Sequence, residues 1–174
     1  MNPLRTYDYL IKSRERVLDA VRPLTPRQYT QELPIGLRSI GSTLTHMMIS
    51  EWYYIERFEV HPVPPYDQWP IQYERPPAFE VVEVAWHEQM ARVRALVAAE
   101  RDWNRTITYD SFPDDSGRRF RITASSGDVF TQLVLHEVHH RAQLMAMLRG
   151  LGDSAAPLQD IDYGELMYGR QALD

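Results

Sequence analysis

The residues best suited to chemistry are histidines, and two of them stand four positions apart towards the C-terminal end of the chain. The segment reads His136-Glu137-Val138-His139-His140. Residues four apart on a helix lie on one face about one turn apart, so His136 and His140 could bind a single metal ion. Apolar residues share this face, which predicts that both rings point inward. An apolar interior offers two imidazoles no polar partners, and a shared metal ion would supply one.

A third ligand is expected from a facing helix, and the best candidate is His46 in the second long helix. Its face lies about a quarter to a third of a turn from the apolar stripe of that helix, at about 100° per residue. Three protein ligands leave a fourth position for water or substrate, which distinguishes reactive zinc sites from closed structural ones. His139 lies about 60° from His136 and is an alternative to His140 through i,i+3 chelation. Surface or loop positions are predicted for the two remaining histidines, His61 and His87.

Two glutamates and a tyrosine are further candidates for the site. Glu137 lies about 100° round the helix from His136, where it is either a general base or a surface residue. Glu51 falls among apolar residues, where a bare carboxylate is costly unless it is paired. It could orient an imidazole or pair with Arg141, and an interhelical salt bridge is the simpler explanation. Tyr53 could line the pocket beside His46 or simply pack.

The pattern His136-Glu137-x-x-His140 also matches the zinc metalloprotease motif, in which the glutamate is the general base. The extended metzincin form is excluded, because it needs glycine and a third ligand where this chain has Gln143 and Ala146. A protease with a downstream glutamate ligand such as Glu165 would need a sheet beside the zinc helix. A di-iron carboxylate site would need a second Glu-x-x-His pair, and the sequence contains none.

Hydrophobic periodicity and helix-capping signals predict an all-α fold built as a four-helix bundle. The first helix begins at Asn2-Pro3 and ends before Pro23, and a cap-then-proline turn follows at Thr25-Pro26. The second begins near Ser39. The predicted spans of the other long helices are Ile40 to Glu59, about Ala78 to Trp103, and Ser125 or Ser126 to Gly150 and Gly152.

The connections carry their own signals. Residues 61–77 hold six prolines among aromatic residues, which predicts an ordered crossover that serves as a lid or a dimer contact. Residues 106–109 and 119–123 flank a turn-rich segment and predict one small β-hairpin before the last long helix. The C-terminal segment is predicted to form a short last helix around Leu166.

Composition excludes several classes of protein. The 174 residues are 44% hydrophobic with a formal net charge of -5, which predicts a single domain over residues 1–174 with a real core. We expect no signal peptide, no membrane span and a cytoplasmic location. The acidic balance disfavours nucleic-acid binding. Because the chain has no cysteine, imidazole and carboxylate are the ligands available to a transition metal.

A histidine in the second helix followed by His136-x-x-x-His140-Arg141-x-Gln143 in the fourth resembles the DinB/YfiT-like superfamily over essentially the whole chain. The resemblance implies a four-helix bundle, frequent homodimers, and His46, His136 and His140 as ligands of zinc, nickel or a related divalent ion. Some relatives are transferases or isomerases that use low-molecular-weight thiols, and others are described as metal-dependent hydrolases. It therefore implies metal-dependent transfer or hydrolysis on a small molecule, with a thiol as a further cofactor. The alternative is a non-catalytic metal-binding or ligand-binding stress-response protein.

Overall fold

The protein was analysed as a computed structural model, which describes residues 2–114, 116–152, 158–169 and 171. Four long helices, α1, α3, α4 and α5, pack together as the predicted bundle, and a two-stranded antiparallel hairpin precedes α5. The elements in chain order are α1 (Pro3–Val21), α2 (Pro26–Tyr29), α3 (Ile40–Phe58), a 3-10 turn (Tyr66–Gln68), α4 (Phe79–Ala99), β1 (Thr106–Asp110), β2 (Arg121–Ser125), α5 (Ser126–Gly150) and α6 (Tyr163–Met167).

Three of the predicted long-helix starts are confirmed by capping hydrogen bonds. The side chain of Asn2 accepts a hydrogen bond from the backbone N–H of Arg5, and that of Ser39 accepts one from Ser42. Ser125 and Asp128 form a reciprocal capping box at the start of α5. These bonds satisfy N–H groups that the first helical turn leaves without partners, so local sequence defines where these helices begin.

Two predicted boundaries were wrong. Helix α4 ends at Ala99 rather than Trp103, because the carboxylate of Glu100 accepts hydrogen bonds from the next two backbone N–H groups and ends the helical pattern. The Trp103 side chain instead packs between Phe58 and Phe130. The second strand covers 121–125 rather than 119–123, because the hairpin turn is longer than expected and Thr106 pairs with Ser125.

Helices α3 and α5 run antiparallel, and their register positions the histidines. Near one end of the pair, the hydroxyl of Thr43 on α3 contacts the sulfur of Met147 on α5 at 3.8 Å. Further along, the amide of Gln132 donates a hydrogen bond to the hydroxyl of Tyr54 at 3.4 Å. His46 lies between these two contacts on α3, so the middle of α5 faces it.

The bundle interior contains two apolar clusters with a charged layer between them. Leu10 and Val17 on α1 belong to different clusters, and the buried Arg14 stands between them in the chain. On α3, Glu51 occupies the same level between Met48 and Ile55. The buried charged residues of this layer are Arg14, Glu51, Glu137 and Arg141.

Glu51 is the centre of this charged layer. Its carboxylate accepts hydrogen bonds from the guanidinium of Arg14, the hydroxyl of Tyr7 at 2.7 Å and the indole N–H of Trp86 at 2.7 Å. Gln89 donates a further bond at 2.7 Å. These contacts join α1 and α4 to α3. The predicted interhelical salt bridge of Glu51 is therefore confirmed, but Arg141 was the wrong partner.

The lack of a regular helix in the proline-rich segment and the short last helix are both confirmed, and the role of the segment as a lid or a dimer contact stays a prediction. The segment of residues 61–77 contains no helix longer than the 3-10 turn, and its aromatic side chains pack against the apolar cluster of α3 and α4. Helix α6 forms around Leu166 and lies against α1, where Lys12 donates a hydrogen bond to the Leu166 carbonyl. None of the helices within the described ranges is long and apolar enough to cross a membrane.

Candidate metal centre

The rings of His46, His136 and His140 converge at the contact between α3 and α5. The Nε2 atoms of His46 and His136 are 3.0 Å apart, and one ring nitrogen from each of the three residues lies within 4.8 Å of the others. All three side chains are half-buried. The structure thus brings together the three residues proposed as ligands, and they could hold one metal ion.

The spacing of these nitrogens fits a shared ion. Zinc binds imidazole nitrogen at about 2.0–2.1 Å in tetrahedral geometry, which separates neighbouring ligand atoms by about 3.3 Å. The observed 3.0 Å between His46 and His136 is close to that separation. Three nitrogen ligands are also one fewer than a closed structural zinc site uses, so a fourth position would be open.

The local environment keeps the rings in the form that binds metal. Burial, followed by the neighbouring imidazoles, lowers the pKa of His136 to about 3. Burial and His140 lower the pKa of His46 to about 4. Burial also lowers the pKa of His140. Neutral imidazole is the metal-binding species, so at neutral pH no proton has to be displaced from these three residues.

Gln143 supports the third ligand, a role that the sequence analysis did not assign. Its side-chain oxygen lies 2.9 Å from Nδ1 of His140, so an Nδ1–H donor leaves Nε2 of that ring for a metal. The Gln143 amide in turn rests against Gly36, where an added Cβ would overlap Oε1 of Gln143. Gly36 has φ +47°, a conformation that also favours glycine.

Replacing Gln143 with alanine is expected to weaken metal affinity about 10–100-fold, because His140 loses the bond that orients its ring. A competition titration against a chromogenic chelator would measure this affinity. Gln132→Ala is a matched control on the same helix, since the Gln132 amide contacts Tyr54 rather than the three rings. Equal affinities for Gln143→Ala and Gln132→Ala would contradict the role given to Gln143.

A cavity of about 380 Å³ opens beside His46. The proline-rich segment forms one wall, and the ring of Tyr73 stands edge-on against His46 with centroids 5.1 Å apart. Tyr53 also lines the cavity, and its ring stacks on that of Trp69. The alternative in which Tyr53 lines the pocket is therefore confirmed. The other lining residues are Ile49, Ser50, Tyr66, Glu74 and Phe112.

The model of the DinB family matches residues 1–170. This chain belongs to the DinB family. A search of curated proteins returned no match. The family assignment agrees with the helical bundle and with a three-histidine metal site.

In this DinB protein, Glu137 lies inside the charged layer. Its carboxylate pairs with the guanidinium of Arg14 and lies 3.7 Å from that of Arg141. Because Glu137 is only 4% exposed, the alternative of a surface residue is wrong. Its role as a general base stays a prediction, but both of its ion-pair partners belong to the bundle interior. Burial raises the pKa of Glu137, against the opposing effect of Arg14.

The other three histidines lie outside the centre. His139 is exposed and its Nε2 contacts the Gln143 amide at 3.0 Å, so the geometry favours His140 as the third ligand. His87 contacts Glu15 at the surface. His61 is also exposed and lies near Glu56 and Glu59, but Arg92 forms ion pairs with both of these carboxylates.

The cavity also contains a carboxylate that sequence reasoning missed. The hydroxyl of Tyr66 donates a 2.5 Å hydrogen bond to Glu74. Burial acts to raise the pKa of Glu74, but hydrogen bonds from Tyr66 and Tyr73 outweigh it and hold that pKa below its ordinary value. Glu74 is therefore an anion at neutral pH. It stands in a proline-rich segment with no regular pattern, which is why sequence spacing did not connect it to His46.

Proposed function

We propose that this chain is a metal-dependent enzyme that transfers a group to, or hydrolyses, a small molecule at the three-histidine site. Zinc or nickel would be held by His46, His136 and His140. The observation that carries the proposal is the cavity of about 380 Å³ that opens onto His46. A purely structural metal site would have no need for a cavity at its open coordination position.

The cavity has the size and lining of a small-molecule site. Ligand pockets are commonly about 300–1,000 Å³ and combine apolar walls with a few polar groups. Here aromatic rings form the walls, while the hydroxyl of Ser50 and the carboxylate of Glu74 provide the polar groups. The aromatic walls would exclude bulk water around a bound molecule, which strengthens electrostatic interactions within the site.

The metal and the protein contribute different parts of the chemistry. When bound, a divalent ion supplies Lewis-acid chemistry and acidifies a ligating water or thiol. Imidazole suits zinc and nickel equally, so the ligand set supports either metal. Gln143 holds the ring of His140, and Tyr73 limits the movement of His46 from the cavity side.

Glu74 is the carboxylate that we assign as a proton acceptor in this cavity. It lines the space next to His46 and is ionised, whereas the carboxylate of Glu137 pairs with Arg14 in the bundle interior. Tyr66 fixes the Glu74 carboxylate by hydrogen bonding. The arrangement would let a substrate thiol or water lose its proton to a residue of the chain itself.

The proposal is tested by turnover with two classes of substrate. Holoprotein is assayed for hydrolysis of para-nitrophenyl acetate and for transfer of small thiols to chlorodinitrobenzene. We expect turnover that falls at least about a hundredfold in His140→Ala, while circular dichroism reports an unchanged helical content. His139→Ala is the matched control and should retain turnover.

Two further results separate an enzyme from a binding protein. Glu74→Gln should slow turnover while its metal content stays equal to that of the wild type. Metal-dependent stabilisation without turnover of any tested ester or thiol pair would contradict the enzyme proposal and favour a non-catalytic metal-binding protein.

A further inference from the structure

Arg57, in the last turn of α3, is a buried cation that forms no ion pair with any carboxylate in the described part of the chain. It is 7% exposed, and its Nε is buried without a hydrogen-bond partner. Among the described residues, its guanidinium has neither an ion pair nor a hydrogen bond. Its contacts are the faces of aromatic rings, at 4.6 Å from the centroid of Tyr109, 5.0 Å from Tyr53 and 5.7 Å from Phe112.

Two other arginines are buried in the described part of the chain, and both differ from Arg57. Arg14 pairs with Glu51 and Glu137, and Arg141 pairs with Glu137 and binds hydroxyl groups on α1. A buried charge normally requires a counter-charge or several hydrogen bonds, because the interior does not replace the lost hydration. Aromatic faces attract a guanidinium but leave its N–H donors without acceptors. Arg57 therefore lacks an ion pair and hydrogen-bond acceptors, as a residue that binds an anionic ligand does before the ligand arrives.

Arg57 also lines a cavity of about 400 Å³, which lies among the end of α3, the hairpin and the start of α5. Tyr54 and Tyr109 form its aromatic walls, and Val129 adds an apolar side chain. The ring of Tyr54 stands against that of His136 with centroids 5.5 Å apart. Tyr54 therefore lies between the metal centre and this cavity, and the cavity has no lining residue in common with the cavity beside His46.

We propose that this second cavity binds a small molecule through a carboxylate group, which Arg57 holds with paired N–H···O bonds. The guanidinium presents donors in a planar fork that matches the two oxygens of a carboxylate. An arriving carboxylate would give the buried cation both the counter-charge and the acceptors that it lacks. The aromatic walls would contact an apolar or aromatic body attached to that group.

Asp128 is a second charged residue that lines the cavity. Its carboxylate is already engaged in capping α5 through Ser125. Its negative charge opposes an anion in the cavity, whereas the charge of Arg57 attracts one. Removal of the Asp128 charge should therefore strengthen anion binding.

The site is tested by titrating ¹⁵N-labelled holoprotein with benzoate, and with benzamide as its neutral counterpart. The Nε–Hε resonance of Arg57, assigned by its absence in Arg57→Gln, reports contact at this position. We expect benzoate to shift this resonance to saturation and benzamide to leave it unchanged. In the Arg57→Gln variant, the backbone amide resonance of Ala124, which also lines the cavity, reports benzoate binding. We expect this variant to bind benzoate about tenfold more weakly, or worse.

Two control variants keep the test decisive. Arg121→Gln removes the same charge from the exposed face of the hairpin, and should leave benzoate affinity unchanged. Asp128→Asn removes the opposing charge, and should tighten benzoate binding several-fold even if Arg57→Gln fails to fold. Benzamide that binds as tightly as benzoate, or Asp128→Asn without tighter binding, would overturn the proposal.

The proposal is independent of the enzymatic one. Benzoate could also bind a metal through its carboxylate, so the titration is repeated in His140→Ala. We expect the shift at Arg57 to persist there. A shift that disappears with the metal would overturn the assignment to Arg57, whereas absence of turnover in the enzyme assays would leave this result standing.

Discussion

Replacing Glu51 with alanine is expected to lower the free energy of unfolding by about 3–5 kcal/mol, the range found when one partner of a buried ion pair is removed. The change leaves Arg14 with Glu137 as its one carboxylate partner in the described part of the chain. It also removes the acceptor of the Tyr7 hydroxyl and the Trp86 indole, both deep in the bundle. Urea denaturation at a fixed metal concentration would measure the loss.

The control for this prediction is Glu88→Ala, which removes an exposed glutamate from α4. Surface substitutions of this kind usually change stability by no more than about 0.5 kcal/mol. Equal losses in the free energy of unfolding for Glu51→Ala and Glu88→Ala would contradict the conclusion that the charged layer holds α1, α3 and α4 together.

The second large effect is stabilisation by metal. Zinc or nickel at about a thousand times its dissociation constant should stabilise the folded protein by about 4 kcal/mol, because the three rings converge only in the folded chain. For a domain of this size, the melting temperature should rise by about 8–16 °C. Scanning calorimetry in chelator, and then in excess metal, would measure the shift.

The same scans on His136→Ala provide the comparison. This variant loses the ring whose Nε2 lies 3.0 Å from that of His46, so added metal should leave its melting temperature nearly unchanged. His139→Ala should respond like the wild type. Equal metal-induced shifts in His136→Ala and the wild type would mean that the ion stabilises the fold from another site.

Much of the fold follows from local sequence. Caps at Asn2, Ser39 and Ser125 define helix starts through bonds made within a few residues, and Gly152, with φ +60°, follows the end of α5. The end of α4 was missed because Glu100 caps the following turn with its own side chain, a choice that hydrophobic periodicity does not encode. The hairpin was recognised but its register was not, since a long turn permits several pairings.

The metal centre likewise has one part that local sequence predicts and one part that depends on how helices pack. Spacing within one helix predicted that His136 and His140 would share a face, because helical geometry fixes that relation. The convergence of His46 on this pair depends on how α3 and α5 pack, and sequence spacing carries no information about that register. The prediction that His46 joins this pair rested more on the family resemblance. His140 was preferred to His139 from its spacing and from the resemblance, and the convergence of its ring with those of His46 and His136 agrees with that choice.

Interactions between helices were the least predictable. Glu51 was recognised as a buried carboxylate, but its partner proved to be Arg14 on α1 rather than Arg141. The carboxylate of Glu74 and the unpaired Arg57 carry no sequence signal, since an arginine in the last turn of a helix is ordinarily explained by the helix dipole. Only the burial of Arg57 and the absence of an ion pair or hydrogen bond to its guanidinium within the described residues mark it as unusual.

The metal content of protein purified without an affinity tag tests the three-histidine centre most directly. We predict about one divalent ion per chain in the wild type and in His139→Ala, and a large loss in His46→Ala, His136→Ala and His140→Ala. Elemental analysis against protein concentration would give these ratios. Full stoichiometric metal in all three of the latter variants would contradict the three-histidine centre.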